Sequence, residues 1–409
     1  MKKITLLSTL VLGLLIGLTA CYEKMEFGDT LAEPKLPDQV LDYASIQMPE
    51  HMKNTFLGFS NNIFGVNNGK PIDPTLINIP GGINNNPGII NNANIGPQNP
   101  VVTNYGATLG RVLFYDPRLS INNSISCASC HKQELAFADN AQFSKGFGGK
   151  LTPRNSMAIL NSGLNHNLFW DSRVHSVTQL ALEPVRNHIE MGMESMEVLE
   201  KKLGNTTFYP ELFAKAFGNS QVSSEKIANA MAQFVCSIIS SNSKFDKGVA
   251  NDFSNFTELE KMGKALFFSA KAKCAECHAG NNFSAPDNPH SNDPYGMPGI
   301  EGTAVIGLEL FSKDKGKDNG NFRIPSLRNV ALTGPYMHDG RFTSLDQVVE
   351  HYNSGIQPHP ELDPKFIDQD GKPLKMNLNA IEKKALVAFL RTLTDERITK
   401  DTRYANPFN

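Results

Sequence analysis

The chain has 409 residues, of which 40% are hydrophobic and 20% are charged, and its formal net charge is −2 at pH 7. A chain of this length and composition can form two globular domains with sizeable cores. The near-neutral charge and the lack of a basic block exclude a nucleic-acid partner.

The first twenty residues have the pattern of a bacterial export signal. Two lysines precede an apolar run over residues 4–18 that is too short for an ordinary membrane span. The run leads into Thr-Ala-Cys, which resembles a lipobox, and Cys21 would then be the lipid-modified first residue of the mature protein. A plain signal peptide with an incidental cysteine is the alternative. We expect residues 1–20 to be a lipoprotein signal peptide and Cys21 to anchor the protein on the periplasmic side of a bacterial membrane or in the cell envelope.

Residues 21–104 are rich in Asn, Gly and Pro, and thirteen Asn lie between Asn61 and Asn104. Such residues favour turns over helices and strands. We expect a tether that spaces the protein from the membrane, with room for part of it to pack on the body.

From residue 105 onward the sequence is patterned for helices joined by long loops. A first apolar stripe runs from Leu109 to Phe114 and ends at Asp116-Pro117. Few stretches show the sustained alternation of apolar and polar residues that is typical of β-strands. The other helical patterns cover Met196–Leu203, Lys226–Ile239, Glu258–Phe268, Leu345–Tyr352 and Ala380–Leu393. This mainly α pattern with long irregular loops is typical of a protein whose core is partly supplied by a bound group.

Four of the six cysteines belong to two Cys-x-x-Cys-His motifs. These are Cys127-Ala-Ser-Cys130-His131 and Cys274-Ala-Glu-Cys277-His278. In c-type haem attachment, two thiols one turn apart add to the haem vinyl groups and the adjacent His faces the iron. A zinc site would need further Cys or paired His ligands, and a thioredoxin-like redox pair does not explain a His after the second Cys, twice. The sequence therefore predicts two covalently bound haem c groups.

Each haem motif follows a predicted helix, which ends in Phe-Tyr-Asp before the first motif and in Phe-Phe-Ser before the second. This arrangement indicates a duplicated module, hence two cytochrome c-like haem domains. We place the first haem domain at residues 105–250, the second at 251–395 and a C-terminal tail at 396–409.

Further segments accompany these motifs in a characteristic order. The first motif is preceded by Leu109-Gly-Arg-Val-Leu-Phe-Tyr-Asp116 and followed by Arg154-Asn155, Phe169-Trp170-Asp171-x-Arg173 and Glu190-Met191. The second motif is followed by Phe322-Arg-Ile-Pro-Ser-Leu-Arg-Asn-Val330 and Thr333-Gly-Pro-Tyr-Met-His-Asp-Gly-Arg341. Together these segments resemble the bacterial dihaem cytochrome c peroxidase family, including its MauG-type branch. The resemblance covers about residues 105–395 and leaves residues 22–104 outside.

The resemblance implies roles for residues around both haems. His131 would be the proximal ligand of the first haem, where peroxide reacts, and His278 that of the second haem, where electrons enter. Glu190 falls on the family's distal acid, although a lone Glu in a polar stretch is more often a solvated charge. A carboxyl in a dry haem pocket can move a proton between the two peroxide oxygens. Trp170, the only Trp of the chain, matches the aromatic residue between the haems.

The resemblance also implies a calcium ion at the contact of the two domains. Asn155 and the carbonyl groups of Thr333 and Pro335 match the family's calcium ligands.

The chain departs from the family pattern at the first haem. In many peroxidases of this family, a His upstream of the Arg-Asn pair blocks the resting first haem. At that position, counted back from Trp170, this chain has Phe147. The departure implies a first haem that is open without reductive activation.

A second departure concerns the sixth ligand of the second haem. Many family peroxidases use a Met that lies fourteen residues after the His of the His-Asp-Gly motif. Counted from His338, that position holds Tyr352, as in the MauG-type branch; Met337 or another Met is the alternative ligand. A phenolate is a hard, anionic donor that stabilises ferric and higher-valent iron, whereas Met raises the potential.

The resemblance implies a peroxidase that reduces hydrogen peroxide to water with electrons from a small carrier, a cytochrome c or a cupredoxin. The runner-up is a MauG-like enzyme in which the same high-valent haem state oxidises side chains of another protein. A plain dihaem electron carrier is the third function, and it would need two protein ligands on each iron. Family members are often dimers, which leaves a homodimer open here, although no sequence feature locates a dimer surface.

Overall fold

A computed structural model describes residues 31–46, 49, 51–52, 66–67, 70–71, 99–165, 167–284, 303–308, 314–317 and 320–409. The predicted signal peptide and Cys21 lie outside these residues. The chain divides into Met1–Glu33, of which only residues 31–33 are described, and Pro34–Asn409, which forms one compact unit. Among the described residues, none of the helices has the length and apolar character needed to cross a membrane.

Helices make up most of the regular structure, which confirms the predicted mainly α fold. The α-helices are α1 (Asn104–Tyr115), α2 (Val177–Arg186), α3 (Met196–Gly204), α4 (Tyr209–Phe217), α5 (Ser224–Ser237), α6 (Lys244–Val249), α7 (Glu258–Phe267), α8 (Leu345–Glu350) and α9 (Ala380–Arg391). Two antiparallel pairs of two-residue strands join β1 (Val66–Asn67) to β2 (Lys70–Pro71) and β3 (Thr303–Ala304) to β4 (Phe322–Arg323). The haem motifs begin in short 3-10 turns, Cys127–Ser129 and Cys274–Glu276.

With the exception of α4, these α-helices begin where side chains cap their free N–H groups. Thr103 accepts a hydrogen bond from the backbone of Gly106 at the start of α1, and Thr257 forms a reciprocal capping box with Glu260 at the start of α7. Such caps satisfy backbone donors that have no partner within the helix. They fix the starting points of the two helices that precede the haem motifs.

The two haem modules repeat the same helix crossing. A Cβ atom on Gly110 of α1 would lie 1.9 Å from the carbonyl oxygen of Ala230 in α5. A Cβ atom on Gly263 of α7 would lie 1.9 Å from the carbonyl oxygen of Ala385 in α9. Only glycine allows two helix backbones to approach so closely, because any side chain would collide with the facing carbonyl.

Three phenylalanines pack around each crossing, one from the first helix, one from the loop after the haem motif and one from the crossing helix. Phe114 lies 6.0 Å from Phe137 and 5.2 Å from Phe234, measured between ring centroids. The matching distances in the second module are 5.9 Å and 5.0 Å, from Phe267 to Phe283 and Phe389. The sequence duplication is thus repeated in the packing of the cores.

Both ends of the compact unit contribute to the core of the first module. Tyr43 and Met52, from the segment expected to be a tether, are fully buried there. Ile398 and Tyr404, from the expected C-terminal tail, are buried in the same cluster. Burial of these apolar and aromatic side chains stabilises the folded state. The described parts of both segments therefore pack on the body.

The packing also divides the modules earlier than the boundary expected at residue 250. Phe245 of α6 lies in the second core, with its ring 4.9 Å from that of Phe283 and 6.0 Å from that of Phe389. Helix α6 therefore belongs by its packing to the second module.

Candidate haem sites and the residues between them

The two proximal histidines have the same surroundings. His131 Nδ1 lies 3.2 Å from the carbonyl oxygen of Phe137, and His278 Nδ1 lies 3.1 Å from that of Phe283. Burial lowers the pKa of His131, and it lowers the pKa of His278 to about 4. Both rings are therefore neutral, and a ring that donates through Nδ1 to its carbonyl can bind a metal through Nε2.

The four motif thiols do not have the electrostatics of a redox pair. Burial raises the pKa of Cys127 and Cys274 to about 12, and it raises the pKa of Cys130 and Cys277 to about 11. A reactive dithiol needs a lowered thiol pKa. Within the described part of the chain, no three His, Cys, Asp or Glu side chains are grouped to hold a metal ion. Both observations are against the redox and zinc alternatives and fit covalent haem attachment.

A large cleft opens beside the second motif. It encloses about 1740 Å³ of atom-free space, counted with its mouth, and Cys274, Cys277 and His278 line it. Most of the remaining lining is apolar, including Phe267, Ala272, Leu345, Val349, Leu386 and Leu390. Thiols, a neutral imidazole and apolar walls are the groups that a covalently bound haem requires, so these residues fit a haem c.

Tyr352 and Met337 both line this cleft. Tyr352 lies in the π-helical turn His351–Gly355 that continues α8, and such turns re-aim side chains at functional sites. Burial raises the pKa of Tyr352, and its phenol lies near the thiols of Cys274 and Cys277. The tyrosine expected from the motif spacing thus lies in the cleft of the second haem, and so does the alternative Met.

Near the first motif, Glu190 is a half-buried acid. Burial raises its pKa, although Arg173 partly opposes this effect. Its carboxyl group is close enough to the thiols of Cys127 and Cys130 to act on them electrostatically. Asn187 Nδ2 donates to Glu190 Oε1 at 3.1 Å. The structure therefore places a carboxyl with a raised pKa beside the first haem motif, held by one amide.

Phe147 lies directly against the segment that carries Glu190. Its backbone N–H donates to the carbonyl oxygen of Glu190 at 2.9 Å. Its ring packs on Gly192, where a Cβ atom would lie 2.2 Å from the ring. Phe147 has no atom that can bind a metal. It lies beside Glu190 and occupies the position at which the resemblance implies a blocking His.

The residues between the modules form a row of rings. Trp170 Nε1 donates to the carbonyl oxygen of Asn155 at 2.9 Å, and its ring centroid lies 6.5 Å from that of His338. His338 stacks on Phe322 at 3.7 Å between centroids. Trp170, His338 and Phe322 all line the second cleft. The sequence led us to expect Trp170 between the haems and His338 near the second haem. The stacking of His338 on Phe322 joins two motif segments whose contact could not be predicted from their spacing.

The three expected calcium ligands, Asn155, Thr333 and Pro335, all line the same cleft. Asn155 is 6% exposed, and its Nδ2 donates to the carbonyl oxygens of Ala141 and Gln142. This orientation leaves Oδ1 as the free end of the amide. Amide and carbonyl oxygens are ligands that calcium accepts, so the donor set fits the ion.

Two Cys-x-x-Cys-His loops, each with a neutral histidine whose Nδ1 faces a carbonyl oxygen, define a c-type dihaem protein. A family model described as di-haem cytochrome c peroxidase matches residues 104–254. Methylamine utilization protein MauG of Methylorubrum extorquens is 34% identical over 290 residues, which are 70% of this chain and 78% of that protein. Cytochrome c551 peroxidase of Nitrosomonas europaea is 34% identical over 295 residues, which are 71% and 80% of the two chains.

Solved structures agree with these relatives. The crystal structure of a MauG-like protein associated with microbial copper homeostasis has a TM-score of 0.67 and 32% identity, and the match covers 77% of this chain and 97% of that one. The diheme peroxidase BthA from Burkholderia thailandensis, at 22% identity and a TM-score of 0.57 over 75% and 90% of the two chains, shares the fold. The chain belongs to the dihaem cytochrome c peroxidase and MauG family, whose two haem c groups its two motifs hold.

Proposed function

We propose that this protein is a cytochrome c peroxidase, which reduces hydrogen peroxide to two molecules of water with two electrons and two protons. The observation that supports this function best is Glu190, a half-buried carboxyl with a raised pKa beside the first haem motif. The residue packed beside it is Phe147, which has no atom that could bind the iron and block its open coordination position. This combination suits a site that admits peroxide without prior reduction.

The bound haem iron supplies the redox chemistry, and the chain supplies the proton transfer. Glu190 takes a proton from the inner peroxide oxygen and returns it to the outer one, so that the oxygen–oxygen bond breaks with water as the leaving group. Asn187 holds one carboxyl oxygen and leaves the other free to move the proton. Trp170 lies between the modules and is proposed to relay electrons between them.

Electrons are proposed to come from a small redox protein, a cytochrome c or a cupredoxin, that binds near the second module. The decisive experiment is steady-state peroxide turnover with reduced cytochrome c, without pre-reduction of the enzyme. Rapid turnover is expected. Two low-spin haems in the EPR spectrum of the ferric protein, together with no reaction with peroxide, would leave only the electron carrier.

Tyr352 favours a second candidate, in which the protein oxidises side chains of another protein, as its relationship to MauG suggests. An anionic oxygen donor stabilises oxidised iron, which suits slow oxidation of a protein better than rapid turnover. Tyr352→Phe should alter the absorption and EPR spectra of the second haem only. Unchanged spectra would point to Met337 as the ligand and remove the support for this candidate.

A calcium ion is proposed at Asn155, Thr333 and Pro335. The experiment is titration of chelator-treated protein with calcium, followed by calorimetry and by the haem spectrum. We expect the wild-type protein to bind calcium and Asn155→Ala to lose this binding. Equal calcium binding by the two proteins would contradict a site at Asn155.

Export and lipid anchoring at Cys21 are proposed from the signal sequence. Metabolic labelling with a fatty acid should mark the wild-type protein and spare Cys21→Ala. Labelling of both proteins would contradict the anchor.

A further inference from the structure

His51, in the segment outside the family resemblance, reaches a buried carboxylate of the second module. Its Nε2 lies 3.0 Å from Asp246 Oδ1, and the two side chains are 15% and 2% exposed. Burial raises the pKa of Asp246, but the hydrogen bonds and charge of Arg328 outweigh this effect and lower it to about 2. An ionised carboxylate only accepts hydrogen bonds, so His51 is the donor through Nε2–H.

Asp246 joins His51 to a fully buried arginine. Arg328 donates to both oxygens of Asp246 at 2.9 Å, and its side chain has no exposed surface. Arg328 Nε also donates to the carbonyl oxygen of Asn281 at 2.8 Å. Asn281 Nδ2 in turn donates to the carbonyl oxygen of His51 at 2.6 Å. The four residues form a closed ring of hydrogen bonds, in which His51 takes part with both its side chain and its backbone.

This ring holds the loop that supports the proximal ligand of the second haem. Asn281 lies two residues before Phe283, whose carbonyl oxygen accepts from His278 Nδ1 at 3.1 Å. The same carbonyl oxygen accepts from the backbone of Leu327 at 3.2 Å, one residue before Arg328. Any loosening at Asn281 or Arg328 is therefore transmitted within two residues to the hydrogen bond on His278.

We propose that His51 is a positioning residue for the second haem, which acts through Asp246, Arg328 and Asn281 on the hydrogen bond between Phe283 and His278. A hydrogen bond that Nδ1–H donates to a carbonyl oxygen makes a ligating imidazole a stronger donor to the metal and stabilises the oxidised iron. The N-terminal segment thus sets the reduction potential of the electron-handling haem. The inference goes beyond peroxide reduction and requires only haem c at the second motif.

The test is a spectroelectrochemical titration of the holoprotein that resolves the two haems. In His51→Ala, we expect a higher reduction potential at the second haem and an unchanged potential at the first. In His51→Gln, whose amide N–H can still donate to Asp246, we expect a potential near that of the wild type. Asn281→Ala breaks the ring at its other end and should raise the potential of the second haem as well.

His175→Ala is the matched control, because His175 is exposed and makes a single side-chain hydrogen bond, to Asn167 at 2.9 Å. It should leave both potentials unchanged. The proposal is overturned if His51→Ala leaves the second potential unchanged, if both haems shift equally, or if His51→Gln shifts as far as His51→Ala. Peroxide turnover, measured separately, tests the proposed function, and its absence would leave the potential measurement valid.

Discussion

At the scale of single residues, Glu190 combines burial with one defined hydrogen bond. Its raised pKa has desolvation as the main cause, and its Oε1 accepts from Asn187 Nδ2. The Oδ1 atom of the same amide accepts from the backbone N–H groups of Ile189 and Glu190 at 2.9 Å and 3.4 Å. These backbone donors fix which end of the amide faces the carboxyl, since only an oxygen can accept from them. Asn187 therefore orders both the backbone and the acid.

Glu190→Gln should lower peroxide turnover by about 10²–10⁴-fold, the range of general acid–base catalysis. Glutamine keeps the size and the hydrogen bond of the side chain but cannot accept and return a proton. The check is steady-state kinetics at saturating donor. Unchanged turnover in a variant with a wild-type haem spectrum would remove Glu190 from the mechanism.

Asn187→Asp should shift the pH dependence of turnover. Aspartate keeps an oxygen for the two backbone N–H groups but replaces the donor at Glu190 with a negative charge. A nearby negative charge raises the already raised pKa of Glu190 further. Because Glu190 must be ionised to take the first proton, the rising limb of the pH–rate profile should move to higher pH. A profile that coincides with the wild type would contradict the role of Asn187, and melting curves control for lost structure.

The motif spacing singled out particular residues, whose roles at the haems stay predictions. The spacing of Tyr352 and Phe147 predicted their positions, and the structure has them at the second cleft and beside Glu190. Asn187 and His51 were missed for different reasons. Asn187 acts over three residues of chain, and an Asn three residues before a Glu has many other uses in turns. His51 meets Asp246 across 195 residues, a contact that no local pattern encodes.

At the scale of secondary-structure elements, the repeated helix crossing depends on one glycine in each module. The apolar stripes allowed α1, α3, α5, α7, α8 and α9 to be predicted, whereas α2, α4 and α6 were missed. Helices α2 and α4 escaped prediction because each contains a proline, Pro184 within α2 and Pro210 in the first turn of α4. Proline normally ends a helical pattern, although it is tolerated in the first turn.

Gly110→Ala and Gly263→Ala should each lower the free energy of unfolding by at least ~1–3 kcal/mol, the cost of forcing a methyl group into a packed interface. The facing atom is a backbone carbonyl in both cases, so it cannot rotate away. Gly204→Ala in α3 is the control, because its nearest neighbour would be a Val222 methyl at 3.8 Å. It should be neutral or up to about 1 kcal/mol stabilising. Denaturant unfolding measures all three, and equal effects would refute the crossing argument.

At the scale of the whole molecule, the first module is completed by both ends of the compact unit. Tyr43 donates to the carbonyl oxygen of Arg403 at 2.6 Å, and Lys35 donates through its backbone to that of Pro407 at 2.6 Å. Gln133, six residues after Cys127, donates to the carbonyl oxygens of Ile398 and Asp401. These contacts could not be predicted from composition. A segment rich in Pro and Asn has the composition of a spacer whether or not it packs on the rest of the protein.

Deletion of residues 396–409 should destabilise the first module while sparing the second. Burial of Ile398 and Tyr404 contributes about 1.5–3 kcal/mol per side chain. Limited proteolysis should cut the truncated protein within residues 105–237 before it cuts residues 251–395. Tyr404→Phe is the milder companion, because it removes only the hydrogen bond to the carbonyl oxygen of Ser237. Equal cleavage of both modules in the truncated protein would contradict the expectation.

The dependence of the first core on both chain ends sets an order of assembly. The second core draws its buried residues from between Phe245 and Leu393, whereas the first needs Tyr43 as well as Tyr404. Closing a core over such a separation is slow compared with local packing. The first haem motif comes first in the chain, yet we expect its module to close last, once residues 398–404 have joined its core. We therefore expect its cysteines to stay accessible for haem attachment longer than those of the second motif.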